Sequence, residues 1–150
     1  MSFTPLKFTT FGRVGSGPIA GLPYNGTSYL QGVGDSVQFS FTDGSAFNLD
    51  SVDLAEYSTG FPNPLTVRFV GYFADGSTVA VNLTTDGVID GTGPLADFQT
   101  FRFQGFDGVT RVEIPTSRWS LDNLVVAIPE PASGTLLALG GLALWCLRRR

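Results

Sequence analysis

From Ser36 onward the chain is a series of short runs in which apolar and polar positions alternate, each run closed by a turn signal. Leu65, Val67, Phe69, Gly71 and Phe73 fall on one side of such a run, with Thr66, Arg68 and Tyr72 on the other. Val79, Val81 and Leu83 repeat the period, as do Phe101 and Phe103 around Arg102. A repeat of two puts one face of a strand in a core and the other in water. Strands are therefore predicted at Ser36–Phe41, Phe47–Glu56, Leu65–Phe73, Thr78–Leu83, Phe98–Phe103, Val109–Ile114 and Trp119–Val126. The turn signal is Asp-Gly, at residues 43–44, 75–76, 86–87, 90–91 and 107–108. Both residues tolerate positive φ, so Asp-Gly between apolar runs predicts hairpins.

Seven short strands with close turns predict an all-β body, a two-sheet antiparallel sandwich whose interior the phenylalanines fill. The segment TGFPNP, from Thr59 to Pro64, reads as a loop, because prolines cannot continue a ladder. Residues 87–97 read as a second long loop. The first thirty residues are rich in Gly and Thr and are expected to hold one or two edge strands. No stretch of the body has helical spacing.

The pattern changes at residue 129. Pro129-Glu130-Pro131 interrupts regular structure. An apolar run follows from Ala132 to Leu147, and the chain ends in Arg148-Arg149-Arg150. From Leu136 to Leu147 only Cys146 is not plainly hydrocarbon, aromatic or glycine; Leu136, Leu137, Leu139, Leu142, Leu144, Trp145 and Leu147 carry the run. Apolar on every side, it predicts a membrane-seated C-terminal helix rather than a surface helix with one buried stripe. Sixteen residues would span about 24 Å, short of a hydrocarbon core of about 30 Å, which suits a transient anchor. Trp145 suits the interface, and arginines beyond the apolar run hold that end on the cytoplasmic side.

Break, apolar run and basic end in this order resemble the PEP-CTERM sorting signal of bacterial exported proteins. That resemblance implies recognition by a membrane-embedded sorting protease, an exosortase, at Pro129-Glu130-Pro131, with Arg148, Arg149 and Arg150 stopping transfer. It implies a membrane-bound precursor, then release to the cell surface or exterior, often alongside exopolysaccharide and biofilm. The chain is divided accordingly, into a body of residues 1–128 (1–30 poorly defined) and a sorting signal of residues 129–150. The stretches FTDGSAFNLDSVDLAEYS, LTVRFVGYFADGSTV, FQTFRFQGF and WSLDNLVV are similar to the domain often found ahead of this tail. That resemblance implies a jelly-roll or galactose-binding-like fold related to carbohydrate-binding modules.

Composition narrows the function. Residues 1–128 hold six basic against twelve acidic side chains, and the basic ones are scattered singly. Nucleic acid is not an expected partner, since it needs a basic footprint. Histidine is absent and Cys146 is the one cysteine, so Ser-His-Asp and Cys-His catalysis, histidine zinc sites and an internal disulfide are all excluded. Residues 1–20 lack the apolar core of a secretory signal, about 7–15 residues long. The expectation is that the signal peptide is missing from this chain and the true start lies upstream.

A sugar site needs exposed aromatic faces. Tyr57 and Phe61, which flank the TGFPNP loop, and Trp119, at the head of the last strand, are the ligand-binding candidates, with Tyr24 and Tyr29 behind them. The competing use is packing, the commoner fate of aromatics in a small domain. Asp50, Asp53, Asp122 and Asn123, with Glu56, supply the hard oxygens that a structural calcium ion takes, six to eight at a time. Aspartate is equally the standard turn residue. Glycoside hydrolysis needs two opposed carboxyl groups. Glu56 and Glu113, the body's two glutamates, lie in no such context, so no enzyme activity is expected. Two functions remain in view: a structural component of the exopolysaccharide layer, and a carbohydrate-binding module whose tail only directs localisation.

Overall fold

The computed structural model describes residues 1–5, 11–34, 36–61 and 63–129. Glu130 to Arg150, and with them the predicted membrane helix and basic end, lie outside the described residues. Among the described residues there are ten strands and no helix. They are β1 (Ser2–Pro5), β2 (Phe11–Val14), β3 (Tyr29–Gly32), β4 (Val37–Ser40), β5 (Asn48–Glu56), β6 (Thr66–Tyr72), β7 (Thr78–Thr84), β8 (Gln99–Arg102), β9 (Arg111–Ile114) and β10 (Trp119–Ala127). All pair antiparallel, in two five-stranded sheets ordered β1-β4-β9-β6-β7 and β2-β3-β10-β5-β8.

The pairings nest. The β6–β7 hairpin is the tip, and outward from it come β5 with β8, β4 with β9, and β3 with β10. The ribbon folds over itself, so that β10 also pairs with β5 and β6 with β9. Alternation decides which residues meet in the middle. Val67 and Phe69 of β6 are buried while Thr66 and Arg68 are exposed. They join Phe39, Val112 and Ile114 from the same sheet, and Val52, Leu54, Trp119 and Leu121 from the other, in one core. Phe69 meets Phe103 edge-on at 5.0 Å and Phe103 meets Phe106 at 4.9 Å. Each fully buried side chain of this size contributes about 1.5–3 kcal/mol of transfer free energy.

All seven predicted strands are present, with ends moved by one or two residues. The first thirty residues differ from expectation. They hold β1, β2 and the start of β3, and β3 is interior, between β2 and β10. Four-residue strands carry too short a period to stand out in a Gly-rich segment. Gly32, at the end of β3, is required by packing, because a Cβ there would overlap the six-membered ring of Trp119.

The five Asp-Gly glycines all take positive φ, between 65° and 87°. Only Asp75-Gly76 closes a hairpin of adjacent strands; the others lie on connections that cross from one sheet to the other. Asp43-Gly44-Ser45 and Asp75-Gly76-Ser77 are built alike. In each, the Asp Oδ1 accepts the serine N–H (3.0 and 2.9 Å) and the serine hydroxyl (2.7 and 2.6 Å). Asp-Gly therefore predicts the bend and leaves the partner strand open.

The two ends of the sheets are finished differently. The end where β10 begins is loop-rich: residues 57–65, 85–98 and 115–118 cluster there. The end where β10 finishes holds the β6–β7 turn, the β4–β5 turn and the exit of the chain at Ala127. Burial along the two longest strands records this. Trp119, Ser120 and Leu121 are all buried, after which β10 alternates; β5 buries only Leu49 and Val52 in its first six residues and ends with Leu54, Ala55 and Glu56 all buried.

Candidate functional site

The loop-rich end is sealed by backbone bonds to one carboxylate. Asp97 is 1% exposed and accepts the N–H groups of Tyr24 (2.7 Å), Gly91 (2.9 Å) and Asp90. It thereby ties residues 15–28 to the loop between β7 and β8. Beneath this layer Gln31 Nε2 donates to the Tyr57 carbonyl (2.7 Å) and the Ser120 hydroxyl (3.3 Å). Tyr29 is also in this layer. It is buried, its hydroxyl donates to the Pro23 carbonyl (2.8 Å), and its ring meets Phe98 edge-on at 5.1 Å. Burial, and then the Asp97 carboxylate, push its phenol up to about 12. Tyr29 is packing, and offers no face to a sugar.

Trp119 is corrected in the same way. It is fully buried in the core, and its indole N–H donates to the Thr116 carbonyl at 2.7 Å. It heads β10 as expected, but its position falls on the core-facing side of the strand, so it anchors the domain and cannot stack on a ligand.

Tyr57 and Phe61 are brought together. Tyr57 is half-buried and Phe61 is exposed; their rings meet edge-to-face at 5.1 Å. Arg118, at the head of β10, lays its guanidinium over Phe61, 4.5 Å from the ring centroid. Its backbone takes φ 65°, a left-handed conformation uncommon outside glycine, held by its N–H to the Gly32 carbonyl at 2.7 Å. These three residues, with Asn63, Leu65 and Thr66, line an open cavity of about 280 Å³. A second cavity of similar volume lies between Pro18–Leu22 and Ile89–Thr92 at the same end of the molecule. Arg118 was not among the residues picked from sequence. A single arginine before a strand carries no signal until the fold puts it beside Phe61.

The calcium candidates separate. Asp53 and Asp122 are cross-strand partners on β5 and β10. Asp122 Oδ2 accepts from Asn25 Nδ2 (2.8 Å) and the Thr27 hydroxyl (2.5 Å), and its Oδ1 from the Asn123 N–H (2.8 Å). Asp53 accepts from the Thr100 hydroxyl (2.5 Å) and Asn123 Nδ2 (2.7 Å). Like charges directly opposite on a ladder repel, and here neutral donors offset that repulsion. Asn123, at φ 45°, sits in a bulge where β10 has one residue more than β5. Asp50 lies outside this network, and its carbonyl accepts the Phe103 N–H (2.9 Å). Among the described residues no group of three or more acidic, His or Cys side chains could hold a metal ion. Glu56 is elsewhere again, fully buried, with Oε1 accepting the Gly87 N–H (2.6 Å) and Oε2 without a partner among the described residues.

The remaining feature begins where β10 ends. Residues 127–150 match the model of the PEP-CTERM protein-sorting motif. No curated protein matches the chain. The motif indicates exosortase-dependent sorting: a membrane-anchored precursor that meets the exosortase and is exported to the surface.

Proposed function

With a PEP-CTERM sorting motif closing the chain, we propose that this protein is a non-catalytic, exosortase-sorted component of the extracellular polysaccharide layer. The match at residues 127–150 carries this reading. The sorting protease cuts near Pro129-Glu130-Pro131, the apolar run from Leu136 to Leu147 holds the precursor in the bilayer, and Arg148, Arg149 and Arg150 fix its inner end. The body is a jelly-roll sandwich, for which the nested pairing from β3–β10 inward to β6–β7 is the support. β1 and β2 add one further strand at an edge of each sheet.

Intact-mass analysis of the protein from its native host, in membrane and released fractions, tests the sorting step. The expected released species lacks the segment after about Pro131. A full-length species confined to membranes would remove the exosortase step and leave a plain anchor.

A second function, carbohydrate binding by the body itself, is favoured by the cavity walled by Tyr57, Phe61 and Arg118. Eight residues of β10 separate this cavity from the start of the sorting motif, about 26 Å at strand rise. On an anchored precursor the cavity would therefore open away from the bilayer, toward the polysaccharide.

A further inference from the structure

The chemistry of the Arg118 cavity is more specific than an aromatic sugar platform. The guanidinium carbon lies over Phe61, 4.5 Å from the ring centroid, a contact that uses none of its N–H donors. Among the described residues neither a carboxylate nor a hydrogen-bond acceptor meets those donors; the ring contact and the backbone bond to Gly32 are the interactions of Arg118. Arg13 donates to the Ser28 hydroxyl, and Arg111 donates to Gln38 Oε1 with its guanidinium over the Tyr72 ring; Arg68 and Arg102, like Arg118, make no side-chain hydrogen bond among the described residues, but neither lines a cavity described above. Arg118 is also the residue whose backbone is held at φ 65°. An energetically unfavoured conformation at a cavity wall, retained where glycine would relax it, points to a use for the side chain.

We propose that this cavity binds an acidic saccharide, with Arg118 pairing with the carboxylate of a uronic acid unit. This rests on the carbohydrate-binding function above and names its ligand class. A guanidinium presents parallel N–H donors in one plane, the geometry that a carboxylate accepts in bidentate fashion. Tyr57 and Leu65 provide an apolar wall for the C–H face of a pyranose ring, while Asn63 and Thr66 offer neutral groups to its hydroxyls. A volume of about 280 Å³ accommodates one ring, with the rest of a chain leaving through the open side. No carboxylate lines the cavity, so local attraction is uncontested although acidic side chains outnumber basic ones two to one in residues 1–128. The distributed repulsion is screened beyond about 8 Å at physiological salt; affinity for a short uronate oligomer is thus expected to hold or rise from low salt to that level.

Calorimetric titration of the full chain, in a detergent without a sugar headgroup, tests this. The probes are a galacturonate trimer, its carboxyl-reduced galactose counterpart, and monomeric galacturonic acid. The acidic trimer is expected to bind about tenfold or more tightly than the reduced one, as for hydrogen bonds to a charged group, with the monomer weaker than the trimer. Arg118→Gly should abolish that preference while the melting temperature holds or rises, since glycine relaxes the left-handed backbone. A merely structural Arg118 would not separate binding from stability in this way. Equal affinity for the two trimers, with Arg118→Gly binding like wild type, would overturn the acidic-ligand assignment and leave carbohydrate binding standing. Failure of every saccharide to bind would remove both. Tighter binding of a peptide with a free C-terminal carboxylate than of the acidic trimer would overturn the saccharide class.

Discussion

The two ends of this domain use aspartate in opposite ways. At the end where β10 finishes, Asp43 and Asp75 are exposed and each folds one local turn through the serine two residues on. At the other end Asp97 is buried and gathers three N–H groups from two separate segments. One residue type makes a cheap, self-contained turn in one place and a long-range staple in the other. The first kind of end is compact and delivers the chain to its sorting tail. The second carries a sealed polar layer, two cavities and the Arg118 cluster. A domain held to a membrane by one end can leave its other end free for recognition, and the distribution of loops follows that division.

The largest test of this division acts on the tail. Replacing Arg148–Arg150 by glutamine removes the charges proposed above to hold the C-terminus inside. The expected outcome is loss of uniform topology, read as a change in the fraction of body digested by external protease on intact cells. Digestion equal to that of wild type would detach the division of ends from the tail's orientation.

Next in size is Asp97. Replacement by alanine leaves three N–H groups of Tyr24, Asp90 and Gly91 without their acceptor and should cost about 3 kcal/mol or more in chemical denaturation. Asp97→Asn keeps an acceptor oxygen and should lose roughly half as much. Residues 15–28 are expected to become protease-sensitive in the alanine variant, with the β6–β7 turn unaffected. If the turn end loosened equally, the two ends would not be independent.

How far the sequence foretold this follows from the range of the forces involved. Period-two alternation is local, and it located β4 to β10 because Val67, Phe69, Val79, Val81 and Leu83 sort by face without reference to the rest of the chain. Positive φ at Gly44, Gly76, Gly87, Gly91 and Gly108 was legible for the same reason. What could not be read is non-local. Trp119 alternates correctly, but which face is the core depends on the other sheet. Ser120 and Ala55 are fully buried on the face opposite Leu121 and Leu54 because distant loops cover them. Arg118 became a site residue only when the fold set it over Phe61, and Asp97 became a staple only when Tyr24 arrived 73 residues away in sequence. The sorting motif, by contrast, was legible, since it is written in contiguous residues.

Tyr29 offers a smaller test at the loop-rich end. Its phenol is raised to about 12, by burial first and Asp97 second. A group raised above its unfolded value of about 10 stabilises fully below that value. The contribution is lost as pH climbs from about 10 to about 12. Tyr29→Phe should flatten this alkaline limb while costing about 1 kcal/mol at neutral pH for the lost bond to Pro23. An alkaline limb as steep as wild type in Tyr29→Phe would mean that the phenol titrates in solvent-like surroundings.

The smallest effect belongs to the turn end. The Ser45 N–H and then its hydroxyl hold the Asp43 carboxyl below its usual range; the Ser77 hydroxyl and then its N–H do the same for Asp75. Depressed carboxyls stabilise above their unfolded value, about 3.9, and that contribution disappears as pH falls through the lower folded value. Both groups are exposed, so solvent screens most of the effect. Asparagine at both positions keeps an oxygen for each serine N–H and removes the charge. The expected result is a slightly shallower loss of stability below about pH 4, with the neutral-pH melting temperature nearly unchanged. An acid limb that stays as steep in the double variant would assign it to other carboxylates and take the acid sensitivity of this domain away from these two turns.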